Sequence, residues 1–264
     1  MITGSQILAY LALKNDGDWA KIYNAIASKQ QMTSQEVFDG LNSLTTNYVT
    51  ILDDHYPQIL KTVFKPPLVL FYKGDLSILH DSKFNLGVVG SRENSERGAA
   101  ITNEIVEKLD PKVVVISGLA VGVDAIAHQA AIRSRKKTVA VLGCGINLCY
   151  TKSNTEIYDE IVRNHLVISE YPELTEPKPD NFPFRNRIIA CLSQAILVTE
   201  AKKRSGSLIT VNFALQLGKD IMCVPTFPGE NSGCNDLIKD GASLVENADD
   251  VMENIESIIS KKVK

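Results

Sequence analysis

Six short and nearly continuous apolar runs between residues 86 and 224 constrain the fold of this chain most strongly. Each run ends at glycine, small polar residues or proline, and most are separated by segments of helical character. Strands that are apolar on both sides are typical of a parallel sheet covered on both faces. The pattern predicts an α/β protein with a Rossmann-like, doubly wound, mostly parallel sheet. The runs are residues 86–89, 113–116, 138–142, 166–168, 195–198 and 221–224.

Residues 1–50 have a different character, with short apolar stretches between polar breaks. They fit three or four short helices, and Thr33-Ser34-Gln35-Glu36 resembles a capping box. A turn-rich connector follows, and residues 68–72 are then predicted to form a buried strand. We therefore expect a small helical domain over residues 1–55 and a larger α/β domain over residues 56–264.

Composition and charge exclude several classes of protein. The net charge of −3 argues against a chain that is basic throughout, yet residues 178–206 carry six cations against two acids.

There is no charged-then-apolar leader and no apolar run of about eighteen residues, so we expect a cytoplasmic protein without a membrane contact. The five cysteines form no CxxC pair or Cys/His cluster, so we expect reduced thiols and neither metal nor cofactor. Cys144 and Cys149 lack an evident basic partner that would make either of them catalytic.

The polar residues that follow the predicted strands indicate an anion site. The carboxyl ends of parallel strands lie at one edge of the sheet, where ligands bind in such folds. Backbone N–H groups and hydroxyls at the starts of helices favour phosphate there. Three such cradles are predicted, at Gly90-Ser91-Arg92, Ser117-Gly118 and Ser205-Gly206-Ser207.

Residues 181–190 combine aromatic and cationic side chains at a predicted helix start. The guanidinium groups of Arg185 and Arg187 offer hydrogen-bond donors suited to phosphate. The Asn186 amide can bond to the edge of a base or cap the helix, and a base can stack on the Phe182 ring. Interleaved cations and aromatics suit a single strand of nucleic acid. The alternative is that the arginines are solvated and the Phe-Pro-Phe run packs in the core.

Two further interpretations concern catalysis. Asp124 and His128 lie four residues apart on one predicted helix, either as a catalytic pair or, as we favour, as a hydrogen bond that fixes the helix. The dinucleotide pattern GxGxxG and the Walker A pattern are absent. A nucleotide or phosphoribosyl hydrolase with Glu170, Asp124 or Glu200 as general base remains the competing hypothesis, by analogy of fold.

Five segments, taken together, resemble the DprA/Smf family of DNA-processing proteins of bacterial natural transformation. The similarity extends from about residue 51 to 246 in the expected order, whereas residues 1–50 match only a loose helical, SAM-like domain. The segments are Val88-Val89-Gly90-Ser91-Arg92, Ser117-Gly118-Leu119-Ala120-x-Gly122-Val123-Asp124-x-x-Ala127-His128, Ser169-Glu170-Tyr171-Pro172, Phe182-Pro183-x-Arg185-Asn186-Arg187-Ile188-Ile189-Ala190 and Ser205-Gly206-Ser207-Leu208-x-Thr210.

The resemblance implies an extended Rossmann fold that binds and protects single-stranded DNA without catalysis and helps load the RecA recombinase onto it. Carried over by position, Arg92 and Lys152 would contact phosphates, Arg185 and Arg187 would line the same pocket, and Phe182 would meet a base. A homodimer is implied through the C-terminal part of the Rossmann domain, at Asn235, Ile238 and Leu244. Leu215 would lie near the surface that meets RecA.

Three positions depart from the family pattern. Thr151 follows Tyr150 where proline is usual, so we expect the loop that presents Lys152 to differ from the family's. The cation expected near the Phe-Pro motif is Lys178, shifted by one residue. Pro225 is followed by Thr226 where glycine is usual. The winged-helix domain that some members append is not expected, because only about twenty residues follow Glu246.

Overall fold

The fold is built on a nine-stranded sheet, seen in a computed structural model that describes residues 2–230 and 232–262. The strand order is β1-β2-β6-β5-β4-β3-β7-β8-β9. From β6 to β9 all neighbours are parallel, while β2 is antiparallel to β6 and β1 to β2. The strands are β1 (Asn47–Thr50), β2 (Val69–Gly74), β3 (Phe84–Val89), β4 (Val113–Ser117), β5 (Thr138–Leu142), β6 (Leu166–Ser169), β7 (Ala195–Val198), β8 (Asp220–Cys223) and β9 (Ser243–Leu244).

Helices cover both faces of this sheet, as strands without a polar side require. One face packs on α8 and α9, and the other on α5, α6, α7 and α11. The helices are α1 (Gly4–Lys14), α2 (Trp19–Ala27), α3 (Ser34–Asn42), α4 (Ile78–Asp81), α5 (Glu96–Lys108), α6 (Val123–Arg133), α7 (Thr155–Asn164), α8 (Asn181–Leu192), α9 (Ser207–Gln216), α10 (Gly233–Lys239) and α11 (Ala248–Lys262).

The order of the strands places the site. The chain runs outward from β3 through β4 and β5 to β6, then returns to β7 on the other side of β3 and continues to β8 and β9. The connections diverge where β3 and β7 end, which is where doubly wound sheets leave a crevice for a ligand. The two loops are held together there, because Ser91 N donates to the carbonyl of Glu200 at 2.7 Å.

The N-terminal segment contains three helices and a strand. Thr33 and Glu36 form the predicted capping box at the start of α3. Apolar residues of α1 and α2 share a core cluster with strands β2, β5 and β6, so these helices pack on the sheet. Strand β1 belongs to the sheet although it lies within the segment predicted to be helical.

The predicted strands agree with the observed ones to within two residues at every end, and the fold class is confirmed. Strands β1 and β9, two short strands at the edges of the sheet, were not predicted from the sequence. Within residues 2–230 and 232–262, no helix has the length and apolar character needed to cross a membrane.

Candidate nucleic-acid interface

Two adjoining clefts at the carboxyl edge of the sheet form the candidate site, which we call the edge groove. The larger cleft, of about 300 Å³, lies between residues 90–93, 182–186 and 205–210. The smaller, of about 80 Å³, lies between residues 118–121, 142–144 and 149–151. Arg92, Ala120, Phe182 and Arg185 line both clefts. Loops from four strands and the start of α8 therefore meet at one place, as the sequence predicts.

A row of one cation and two aromatic rings crosses the edge groove. The Arg92 guanidinium lies 5.9 Å from the centre of the Phe182 ring. That ring lies 5.3 Å from the ring of Tyr150 at an angle of 47°. Tyr150 is 62% exposed, and Lys152 follows it as an exposed side chain. The structure thus brings Arg92, Phe182 and the loop of Lys152 together.

Tyr150 is a member of the groove that sequence reasoning missed. Nothing in a turn such as Cys149-Tyr150-Thr151 distinguishes an exposed ring from a packed one. Its position against Phe182, 32 residues later in the chain, follows from the parallel arrangement of β5 and β6 and the return of α8. A large aromatic in the turn that follows a predicted strand, at the edge where ligands bind, was the available signal.

Arg185 forms the floor of the edge groove. Its guanidinium is buried, donates to the carbonyls of Gly118 (2.9 Å) and Val141, and its Nε donates to Asn186 at 3.0 Å. Burial lowers the pKa of Arg185, and the carboxylate of Asp124 opposes that effect. A Cβ at Gly118 would lie 2.6 Å from the guanidinium, which explains the glycine there. Arg185 thus contributes positive charge to the floor of the groove, while one of its terminal nitrogens donates to backbone carbonyls.

Arg187 does not line the groove, and the prediction that it contacts phosphate there is wrong. Its side chain is fully buried and forms a two-pronged ion pair with Glu170, at 2.5 and 2.7 Å. It also donates to the Lys65 carbonyl at 3.1 and 2.9 Å, and stacks 3.6 Å from the centre of the Phe184 ring. Two residues farther along α8 than Arg185, it points to the opposite side of the helix.

The prediction of a phosphate cradle at Ser117-Gly118 is also wrong, because the carboxylate of Asp124 occupies that place. The Asp124 Oδ2 atom accepts from the backbone N–H groups of Gly118 (3.1 Å) and Ala120 (3.4 Å). The Ser117 hydroxyl is buried and donates to the carbonyl of Val88. Asp124 therefore sits where the sequence predicted a phosphate, although burial raises its pKa.

The other two cradles line the larger cleft. Gly90 and Ser91 approach it, but the N–H of Ser91 is bonded to Glu200 and its hydroxyl accepts from the N–H of Glu93. Arg92 is then the exposed donor of this turn. At the third cradle the hydroxyls of Ser205 and Ser207 lie 2.7 Å apart, with Gly206 exposed between them.

In the part of the chain that the structure describes, three helix starts at the groove lack a side-chain cap, as do those of α4 and α7. Among the described residues, no side chain caps α6, α8 or α9. Side chains of Thr3, Asp18, Thr33, Ser95 and Ser232 cap α1, α2, α3, α5 and α10. The uncapped N-terminal turns leave N–H groups and the positive end of the helix dipole directed to this edge, which favours anions.

Lys178 is exposed three residues before α8, outside the residues that line the two clefts.

Asp124 and His128 do not bond to each other, so neither interpretation of the pair holds. The imidazole Nδ1 of His128 lies 2.7 Å from the Thr138 hydroxyl. His128 is fully buried, and desolvation, with smaller contributions from His165 and Arg185, lowers its pKa to about 3. It is therefore a neutral residue of the core at pH 7.

Acid destabilisation is expected from this buried histidine. Between pH 6.5 and pH 3 the unfolded chain takes up a proton at His128 that the folded chain does not, so stability decreases as the pH falls. From pH 7 to pH 5 the free energy of unfolding should drop by about 2 kcal/mol through this residue alone. Urea denaturation at the two pH values measures it. The variant His128→Leu should lose that part of the pH dependence, and an unchanged slope would refute this origin.

The carboxylates considered as general bases are all engaged within the fold. Glu170 is paired with Arg187, and Asp124 accepts from two N–H groups. Glu200 accepts from the N–H of Ser95, at 3.1 and 3.0 Å, and from its hydroxyl at 2.7 Å, at the start of α5. Among the described residues, no group of three or more metal-ligating side chains occurs.

The residues assigned to protein partners lie away from the edge groove. Ile238 and Leu244 line a separate surface recess with Asn235, whose amide exchanges two hydrogen bonds with the backbone of Thr226. Leu244 is 50% exposed. Leu215, on α9, is 54% exposed. Apolar side chains are therefore accessible at both predicted surfaces.

Comparison with known proteins identifies the family. The family model described as DNA recombination-mediator protein A matches residues 47–256. The chain belongs to this family. The resemblance seen in the sequence is thereby confirmed, and the recombination-mediator match begins at strand β1.

Individual members of the recombination-mediator family are similar over most of the chain. DNA processing protein DprA of Streptococcus pneumoniae is 43% identical over 209 residues, covering 78% of this chain and 73% of that protein. A solved structure of DprA from the same species has a TM-score of 0.78 at 34% identity, covering 94% of this chain and 95% of that one. A structure that describes the single-stranded DNA binding mode of DNA processing protein A from Helicobacter pylori has a TM-score of 0.72 at 26% identity, covering 81% and 97%.

Proposed function

We propose that this protein binds single-stranded DNA in the edge groove, protects it, and acts in the cytoplasm during natural transformation without catalysing a reaction. The observation that carries the proposal is the row of Arg92, Phe182 and Tyr150 across the groove. Base stacking on aromatic side chains, together with a cationic track for the backbone, is the usual physics of such binding. Membership of the recombination-mediator family and the Helicobacter pylori relative's single-stranded DNA binding mode support it.

The groove favours a single strand over a duplex for a geometric reason. The ring of Phe182 lies 5.9 Å from the Arg92 guanidinium and 5.3 Å from the ring of Tyr150, within clefts of about 300 and 80 Å³. Bases can stack on such rings only when they are released from a duplex. The phosphates would then follow the exposed Arg92, Lys152 and Lys178, with the start of α9 at residues 205–207 beside them.

A salt titration of oligonucleotide binding tests this proposal. With Arg92, Lys152 and Lys178 each contacting a phosphate, log K for a single strand should fall with log of salt concentration with a slope of about −2. A duplex of the same sequence should bind more weakly at every salt concentration. Fluorescence anisotropy of labelled oligonucleotides measures both. Equal affinity for the two forms, or binding that is insensitive to salt, would contradict a single-strand groove.

The competing enzymatic function, a nucleotide or phosphoribosyl hydrolase, has weaker support. Each candidate base, Glu170, Asp124 and Glu200, already accepts hydrogen bonds within the fold. A base that must take a proton from water or substrate needs a free lone pair directed into the site. If the pure protein released the free nucleobase from nucleoside monophosphates, the hydrolase function would be supported.

We further propose that the protein forms a homodimer through the recess of Asn235, Ile238 and Leu244, and that Leu215 contributes to a surface for a RecA-type recombinase. The accessibility of Leu244 and Leu215, each at least half exposed, supports both assignments. Light scattering of Leu244→Asp against the natural protein tests the first, with a monomeric mass expected for the variant. A variant that remains dimeric would move the interface elsewhere.

A further inference from the structure

Four side chains on the N-terminal part of the chain form a stack that the groove does not use, which we call the aromatic platform. The Lys65 ammonium lies 5.4 Å from the ring of Trp19 and 5.4 Å from the ring of Phe64. The Trp19 ring stacks on Tyr23, with centroids 5.0 Å apart and planes 10° from parallel. Phe64 is 73% exposed and Tyr23 is 52% exposed. Two aromatic side chains, Phe64 and Tyr23, are thus exposed on the surface, with the Lys65 ammonium close to the rings of Phe64 and Trp19.

The platform is held in place from below. Lys65 has a left-handed backbone (φ 51°), a conformation that a residue with a long side chain rarely adopts. Its carbonyl accepts two N–H groups of the buried Arg187, at 3.1 and 2.9 Å. The indole Nε1 of Trp19 donates to the next carbonyl, that of Pro66, at 2.8 Å. These hydrogen bonds hold the backbone of Lys65 and Pro66 in place beneath the rings.

The platform and the edge groove lie on different sides of α8. Phe182, in the groove, and Phe184, stacked on Arg187, are two residues apart and so face opposite sides of that helix. Arg187 bridges Phe184 to the carbonyl of Lys65. Helix α8, about 10 Å across, therefore lies between the groove and the contacts that hold the backbone of Lys65. A strand that leaves the groove at Phe182 would have to cross the start of α8 and extend beyond it to reach the platform.

We propose that the aromatic platform is a second subsite for single-stranded DNA, in which bases stack on Phe64 and Tyr23 while Lys65 contacts a phosphate. The inference rests on the proposed function and extends it to the N-terminal helices. An ammonium held between two rings neutralises a backbone charge beside the stacked bases, which a purely apolar protein partner would not need. A peptide partner is the other occupant that the test distinguishes.

Trp19 allows a direct test, because it is the only tryptophan of the chain. Oligo(dT) of about 6 nucleotides fills only the edge groove, whereas one of about 20 nucleotides reaches the platform, given the usual footprints of such sites. The longer oligonucleotide should quench the fluorescence of Trp19, and the shorter should not. Phe64→Ala should weaken binding of the longer one by roughly five- to a hundredfold, the loss expected for a stacked base, and leave the shorter unchanged.

Phe38→Ala is the matched control, because this ring on α3 is similarly exposed, at 61%, and lies outside the platform. It should change neither affinity. Unaltered binding of the short oligonucleotide by Phe64→Ala also shows that the variant is folded. If Phe64→Ala binds both lengths like the natural protein, the platform is not a DNA subsite, and the groove stands. If the natural protein binds neither length, the proposed function itself fails.

Discussion

Replacing Arg187 by alanine is expected to destabilise the protein by about 3–5 kcal/mol, the effect of leaving a buried charge without its partner. The ion pair with Glu170 is inaccessible to solvent, with the arginine fully buried and the glutamate 5% exposed. Removing the guanidinium leaves the Glu170 carboxylate buried and the Lys65 carbonyl without its two donors. For a chain of this size the melting temperature should fall by roughly 6–20 °C.

The design of this experiment separates the structural role of Arg187 from the phosphate contact that the sequence predicted. The double variant Arg187→Met with Glu170→Leu removes both charges and should recover a large part of the lost stability, because a buried pair replaced by apolar groups is often close to neutral. Thermal unfolding measures both variants. An Arg187→Ala protein with the natural melting temperature but weakened DNA binding would restore the original interpretation.

Charge reversal at Arg92 is expected to lower the affinity for single-stranded DNA by roughly ten- to a hundredfold, which is the size of a lost charge-assisted hydrogen bond, about 1.5–3 kcal/mol. Arg92 is exposed at the junction of the two clefts, with its guanidinium against Phe182. Because the contact is to a phosphate, the loss should be similar for every sequence, and the slope of log K against log salt should become shallower by about 0.7.

The matched control for Arg92→Glu is Arg163→Glu. The Arg163 side chain is 65% exposed at the end of α7 and lies outside the residues that line the groove. Both variants change the net charge equally, so a loss of affinity confined to Arg92→Glu identifies a local contact. Equal losses in the two variants would mean that only overall charge matters, and natural affinity in Arg92→Glu would remove the central residue of the proposal.

The sequence by itself determined the framework of this protein. Apolar runs such as 138–142 specify buried parallel strands because alternate residues of such a run face opposite sides of the sheet, and both must be apolar. The capping box at Thr33 depends on neighbours three residues apart, and it formed as predicted. The placement of polar turns at one edge follows in turn from parallel strands. Strand β1 was missed because only half of it is buried and it lies in a segment with a helical pattern, and β9 because two residues are too few to form a pattern.

The tertiary structure decided which of the polar residues are available. Arg185 and Arg187 are two positions apart, and their local sequence does not distinguish them. Arg187 nevertheless pairs with Glu170 and donates to the carbonyl of Lys65, 122 residues earlier in the chain. Ser117-Gly118 has the composition of a phosphate cradle, but Asp124 fills it. Tyr150 joins the groove only because Phe182 is brought against it. Local patterns report what a side chain is able to bind, whereas its partner is set by packing between distant segments.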